Sequence, residues 1–208
     1  MSIYAKSLNE YLAEAASKSP TPGGGSVSAV VAANAAAMVS MVANLTLGKK
    51  GYEDVQDLAQ EVADGCAKAI EDLRALTARD MEAFEIFMKA WRMPTDTEEQ
   101  HRAKDEAMEK AAQNASQVPL EICKVCLEIL KMAARLAPAG NKGAISDVGV
   151  GAYVAEAALR AAMLSVDINL PSIKTESFRE MLVRERARLF VEAEEYKLQA
   201  LADVKRRL

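Results

Sequence analysis

Asp80 is the residue whose position most invites chemistry. Leu73, Leu76, Phe84, Phe87 and Trp91 follow helical spacing, and Asp80 lies on their stripe, four residues from both Leu76 and Phe84. A carboxylate on an apolar face loses hydration, which raises its pKa toward the range useful for proton transfer. The same spacing suits a buried aspartate satisfied by an arginine or a helix terminus. A second candidate is the run Pro20-Thr-Pro-Gly-Gly-Gly-Ser26, which leads into an apolar segment. Exposed N–H groups of Gly23, Gly24 and Gly25 at a helix start could hold an anion. The run lacks the Gly-Lys-Ser/Thr ending of a nucleotide loop and follows no strand, so a nucleotide reading is poor. A tightly packed or flexible turn is the alternative for the glycines.

Other chemistries find little support. The one histidine, His101, sits in the polar stretch Glu98 to Glu106 and reads as a solvated surface residue. A Ser-His-Asp triad or a histidine-based metal centre is therefore not expected. Cys123 and Cys126 have C-x-x-C spacing but lie inside an apolar helical pattern without a second pair, where cysteine packs as a small hydrophobe. Near the second loop, Ala137 to Asp147, either Ser146 or Asp147 is placed to cap the next helix.

These residues need helices to position them. The pattern predicts an amphipathic helix over 5–18 with Leu8, Tyr11, Leu12 and Ala15 on one face, and a break at 19–26. A helix of small residues runs from Ser26 to about Leu47, ending near Gly48, Lys49, Lys50 and Gly51. Next comes a long helix from Val55 to about Arg92, closed by Pro94, and a polar connection at 95–101. A charged helix over 97–116 follows, then an apolar one to Leu136 with Pro119 in its first turn. The last two run from about Val148 to Val166, stopped at Asn169-Leu-Pro, and from Thr175 to Arg207. The length of the final helix suggests a subunit contact, a solvated arm being the alternative. No alternating strand pattern is evident.

The expected fold is all-α, a multi-helix bundle with long helices in a single domain over residues 1–208. Of 208 residues half are hydrophobic and only 5% aromatic, favouring closely packed helices over a sheet. The net charge of -4 argues against a general nucleic-acid binder. Three cysteines and no secretory leader point to a reducing cytoplasm. The most apolar segment, 27–47, contains Asn34, Ser40 and Asn44, which suits a buried helix of a soluble protein better than a membrane span.

Several blocks together resemble a known family. PTPGGGSVSA, NLTLGKKGY, DMEAFEIFMKAWRMP, VPLEIC, GNKGAISDVGVGA and INLPSI occur in order between about residues 7 and 200. They resemble the cyclodeaminase domain of formiminotransferase-cyclodeaminase and the related bacterial methenyltetrahydrofolate cyclohydrolases. The resemblance implies a helical bundle that dimerises and acts on a tetrahydrofolate derivative as substrate, with no metal or redox cofactor. Cyclodeamination of formiminotetrahydrofolate is the first activity it implies, methenyl hydrolysis the alternative, and a non-catalytic folate-binding protein a third reading. By match to the family's motifs, Asp80 is the expected catalytic acid–base group and Gly23, Gly24, Gly25 and Ser26 shape the folate site. Lys49 and Lys50 match a basic pair suited to the folate's glutamate tail. Asn141, Ser146, Asp147 and Asn169 match polar positions expected to line the same cleft. Relatives often carry a second acidic residue two positions before the aspartate. Here that position is Ala78, followed by Arg79, leaving Asp80 alone or paired with Arg79.

Overall fold

Capping explains where the helices begin. In the computed structural model, which describes residues 3–208, Ser7 and Glu10 form a reciprocal capping box that opens α1 (Leu8–Ala15). This helix is shorter than the expected 5–18. Only its Tyr11 is buried; Leu8 and Leu12 remain exposed, because two turns of helix offer the bundle one point of contact rather than a face. Gly23 then leads into α2 (Gly24–Thr46), which has no charged residue along its 23 positions.

The third helix, α3 (Gln56–Trp91), agrees with its sequence pattern to within a residue at each end. Thr97 and Gln100 form a second capping box, opening α4 (Glu98–Leu136). The two helices expected on either side of Pro119 are in fact this one helix of 39 residues. A proline inside a helix removes the bond to the carbonyl four residues back. That carbonyl belongs to Ala115, and the side-chain amide of Asn169 takes it at 3.1 Å. The acceptor is satisfied from outside, so the helix continues.

α5 (Ile145–Asp167) begins three residues earlier than expected. Ser146 and Asp147 fall within its first turn instead of capping it, and Asn141 caps the short 3-10 turn ahead of it by accepting from the Gly143 N–H at 3.0 Å. α6 (Glu176–Arg207) lacks a cap from its own Thr175. Glu109 of α4 accepts from the Thr175 N–H and hydroxyl at 3.0 and 2.7 Å and from the Lys174 N–H. Burial pushes the Glu109 carboxyl up, but these bonds, with one from Gln113, outweigh it and hold its pKa at about 2.

The core lies where α2, α3, α4 and α5 meet, with α6 laid across α4 and α5. Small residues let α2 and α5 approach closely. A Cβ at Gly151 of α5 would lie 2.6 Å from Val39 Cγ2 and 3.1 Å from the Ala35 carbonyl oxygen. The two helices run in opposite directions, since Gly24 neighbours Ser165 while Asn141 meets Thr46. α6 buries Leu182, Leu189, Ala193, Ala200 and Val204 against the bundle, and Arg207 donates to the Ala137 carbonyl at 2.9 Å. It is a member of the bundle, so its length alone no longer argues for a subunit contact.

Candidate active site

The glycine run and Asp80 meet at one end of the bundle. The start of α2 is pressed so closely on α3 that a Cβ at Gly25 would lie 2.2 Å from Asp80 Oδ1. A side chain there would displace either the Asp80 carboxyl or the start of α2, so the third glycine keeps the two in contact. The first-turn N–H groups of a helix have no partners within it and carry partial positive charge. Burial pushes the Asp80 carboxyl above its ordinary value, while hydrogen bonding by Ser26, chiefly through its backbone N–H, pulls it down; burial prevails. The result is a carboxyl more easily protonated than an ordinary aspartate, held against a helix start that still tolerates its anion.

Asp80 opens onto a cavity of about 410 Å³, within the range of small-molecule sites. Pro20, Thr21 and the three glycines form one wall and Ala83, Phe84 and Phe87 of α3 another. Ala115 of α4 and Ser165, Ile168 and Asn169 at the end of α5 close it. The cavity is thus apolar along its rings and aliphatic groups and polar at a few points: Asp80, Asn169, Ser165 and backbone. Such a site suits a flat, partly polar heterocycle near a proton carrier.

Ser26 is fully buried and does not line the cavity; its hydroxyl donates to the Gly23 carbonyl at 3.0 Å. Its effect reaches the site through Asp80. Arg79 pairs with Glu121 of α4, so the expected alternative of an Asp80–Arg79 pair is not formed. Ala78 is exposed, and a side chain two residues before Asp80 points about 200° around the helix from it. A carboxylate at position 78 would not share this cavity.

The expected single cleft is divided. Asn169 lines the cavity with Asp80 and the glycines, but Lys49, Lys50, Asn141, Ser146 and Asp147 gather at the other end of α2. Gly24 and Thr46 are separated by roughly 33 Å of helix. At that far end Asn141 is buried and fully engaged. It accepts from Lys49 Nζ at 3.0 Å, donates its amide to the Leu45 carbonyl at 2.9 Å, and donates its backbone N–H to Thr46 Oγ1 at 2.8 Å. Asn141 pins the end of α2 to the start of α5. Lys49, Lys50 and Ser146 are exposed beside it.

Sequence reasoning placed Phe84 and Phe87 on a packing stripe and did not single out Ser165 or Ile168. The stripe is core over Leu73 and Leu76 and becomes cavity wall beyond Asp80. The signal was present in the aspartate itself, since a carboxyl interrupting an apolar stripe marks where the stripe stops facing pure core. Cys66, Cys123 and Cys126 are buried free thiols, and burial pushes the first two up to about 12, far from a reactive thiolate. His101 is exposed, away from the cavity lining.

Comparisons with known proteins bear on the same residues. The sequence model of the formiminotransferase-cyclodeaminase family matches residues 7–188. A methenyltetrahydrofolate cyclohydrolase of Methylorubrum extorquens is 37% identical over 188 residues, 90% of each chain. The formimidoyltransferase-cyclodeaminase of Gallus gallus is 30% identical over 99% of this chain, which spans 38% of that longer protein. A solved structure of formiminotetrahydrofolate cyclodeaminase from Thermotoga maritima matches with a TM-score of 0.89 at 32% identity, covering 98% of both chains.

Proposed function

The chain belongs to the formiminotransferase-cyclodeaminase family, and from that premise we propose that it opens the one-carbon bridge of 5,10-methenyltetrahydrofolate with water, giving 10-formyltetrahydrofolate. The observation that carries the chemistry is the desolvated Asp80 carboxyl at the α2 start, facing a cavity of about 410 Å³. The choice of water as the nucleophile rests on the cyclohydrolase relative, matched at 37% over nearly the whole of both chains. The ionised Asp80 takes a proton from water as its oxygen adds to the bridge carbon. It returns that proton to the nitrogen at position five as the carbon–nitrogen bond breaks. The remaining hydroxyl proton leaves to solvent as the formyl carbonyl forms. General acid–base catalysis of this kind contributes roughly 10²–10⁴-fold, and a fixed geometry supplies much of the rest.

The second reading is cyclodeamination, favoured by the structural match to the Thermotoga maritima enzyme over 98% of both chains. There the nitrogen at position ten attacks the carbon of the protonated formimino group, Asp80 takes its proton, and the same proton completes the departing ammonia, leaving the methenyl cation. Purified protein offered methenyltetrahydrofolate and formiminotetrahydrofolate in separate assays decides between them. The expected result is faster loss of the methenyl absorbance than in buffer, without ammonia release from the formimino substrate. Ammonia release with methenyl product would install the second reading, and neither reaction would remove both.

We also propose that the working unit is a homodimer in the cytoplasm, paired through α2 and α5. Both helices are long and apolar enough to cross a membrane, with 56% and 50% of their apolar windows covered by the bundle. Along the uncovered part run Val31, Met41 and Leu45 of α2 and Val150, Tyr153 and Leu164 of α5. Asn34 and Asn44, exposed on α2, suit protein contact better than lipid. A two-fold pairing with antiparallel α2 helices would bring Lys49 and Lys50 of one subunit to the Asp80 cavity of the other, reuniting the divided cleft around an anionic tail. Mixing an Asp80→Asn subunit with a Lys49→Ala/Lys50→Ala subunit tests this. Half the dimers would be mixed, each with one intact site, so activity should recover to about a quarter of wild type under two-fold pairing. No recovery, with each variant folded and dimeric, would place both parts in one chain.

A further inference from the structure

Asn169 has an unusual division of labour. Its side-chain nitrogen donates to two backbone carbonyls, Ala115 at 3.1 Å and Ser165 at 2.8 Å. Both partners are pure acceptors, so the amide nitrogen must face them and the orientation of the group is fixed by chemistry. Both of its donors are then used. Its Oδ1 accepts no hydrogen bond among the described residues and is not one of the buried unpartnered atoms. The residue lines the same cavity as Asp80 and Phe84, so the oxygen is open to a molecule bound there.

One of those two carbonyls is available for a specific reason. In an uninterrupted helix the Ala115 carbonyl would accept from the N–H of residue 119, but residue 119 is proline. Pro119 is buried, away from the cavity lining, and touches no reacting group. Its contribution is an empty acceptor one turn earlier, on a cavity-lining residue, facing the end of α5. That acceptor holds Asn169 in place.

We infer that Asn169 is a recognition residue whose oxygen accepts from an N–H of the reduced pterin ring, and that Pro119 is the positioning residue that orients it. This rests on the folate reading of the cavity. An oxygen that cannot turn into an N–H rejects a ring presenting a carbonyl at that point and accepts one presenting a ring or exocyclic N–H, the donors that a reduced pterin carries. With the ring so fixed on Asn169, the one-carbon bridge is left to Asp80.

A two-position cycle with two ligands tests the inference. The probes are 5-formyltetrahydrofolate, which has the pterin, and p-aminobenzoylglutamate, which lacks it; calorimetry and thermal unfolding are the readouts. Asn169→Ala should weaken 5-formyltetrahydrofolate roughly tenfold, the loss of one well-placed hydrogen bond, and leave p-aminobenzoylglutamate unchanged. It should also lower the unfolding temperature, because the Ala115 carbonyl loses its donor. Pro119→Ala gives that carbonyl a backbone N–H and frees one amide hydrogen of Asn169. Its stability should be no lower than wild type, with affinity for the pterin ligand down about threefold through lost orientation. The double variant should regain stability without regaining affinity, which separates recognition from support of the helix. If wild type binds the pterin ligand and Asn169→Ala binds it equally well, the inference is wrong while the folate reading stands. If wild type binds neither ligand, both fall. If the two substitutions are strictly additive in stability and affinity, the role given to Pro119 is wrong.

Discussion

Asp80→Asn is expected to lower kcat by roughly 10²–10⁴-fold, the range of a lost acid–base group, while folate binding persists. The substitution keeps shape and volume and removes only the ability to carry the proton. Its effect on stability should run the other way. Burial raises the Asp80 pKa above its ordinary 3.8, so between those two values the native state binds a proton that the unfolded chain has released. Stability therefore falls as pH rises through that window, and once ionised the carboxylate is a net cost to the fold. Asparagine cannot ionise, so the variant should unfold at the same or a higher temperature. A fall in activity together with a gain in stability is the mark of a group kept for chemistry. A structural aspartate would lose both. Paired kcat and thermal unfolding measurements at neutral pH check it.

Gly25→Ala should have the next largest effect. An alanine Cβ at that position would lie 2.2 Å from Asp80 Oδ1 and 2.7 Å from its carboxyl carbon, so either the carboxylate or the start of α2 must move. Displacement of a reacting group by about an ångström costs on the order of a hundredfold in rate. Alanine is the better helix former by about 1 kcal/mol, which partly offsets the clash in stability, so the protein should fold while kcat drops. Gly24→Ala is the informative neighbour. Its Cβ would meet Ser165 Oγ at 3.8 Å, an ordinary contact, and its loss of rate should be much smaller. Equal losses at the two positions would mean that the loop acts through its flexibility and not through its grip on Asp80.

Much of the architecture could be read in the chain because helix periodicity and punctuation are local. Asp80 stood out as a carboxyl breaking an apolar stripe, and the cavity is built around that interruption. The glycine run could be located but not interpreted, since its spacing is silent about what presses on Gly25. Two features depend on residues distant in the chain. Pro119 looked like a helix start because its compensation comes from Asn169, 50 residues later and in another element. Lys49 and Asn141 lie far from Asp80 within one chain, which matching blocks do not show because they record a shared family but not distance. Only the unbroken length of α2 reveals that these blocks end on opposite sides of the bundle. Ser26 was placed correctly in the loop, yet its action on the site is indirect, through the carboxylate that it hydrogen-bonds.

The pH dependence of kcat/KM for methenyltetrahydrofolate hydrolysis, measured on wild type and on Asp80→Asn side by side, shows whether Asp80 carries the proton. If the ionised Asp80 is the base, wild type loses activity as pH falls, through a single ionisation lying above the ordinary aspartate value. The residual activity of Asp80→Asn should show no such limb. An acidic limb of the same midpoint in both proteins would mean that another group carries the proton and that Asp80 is not the base.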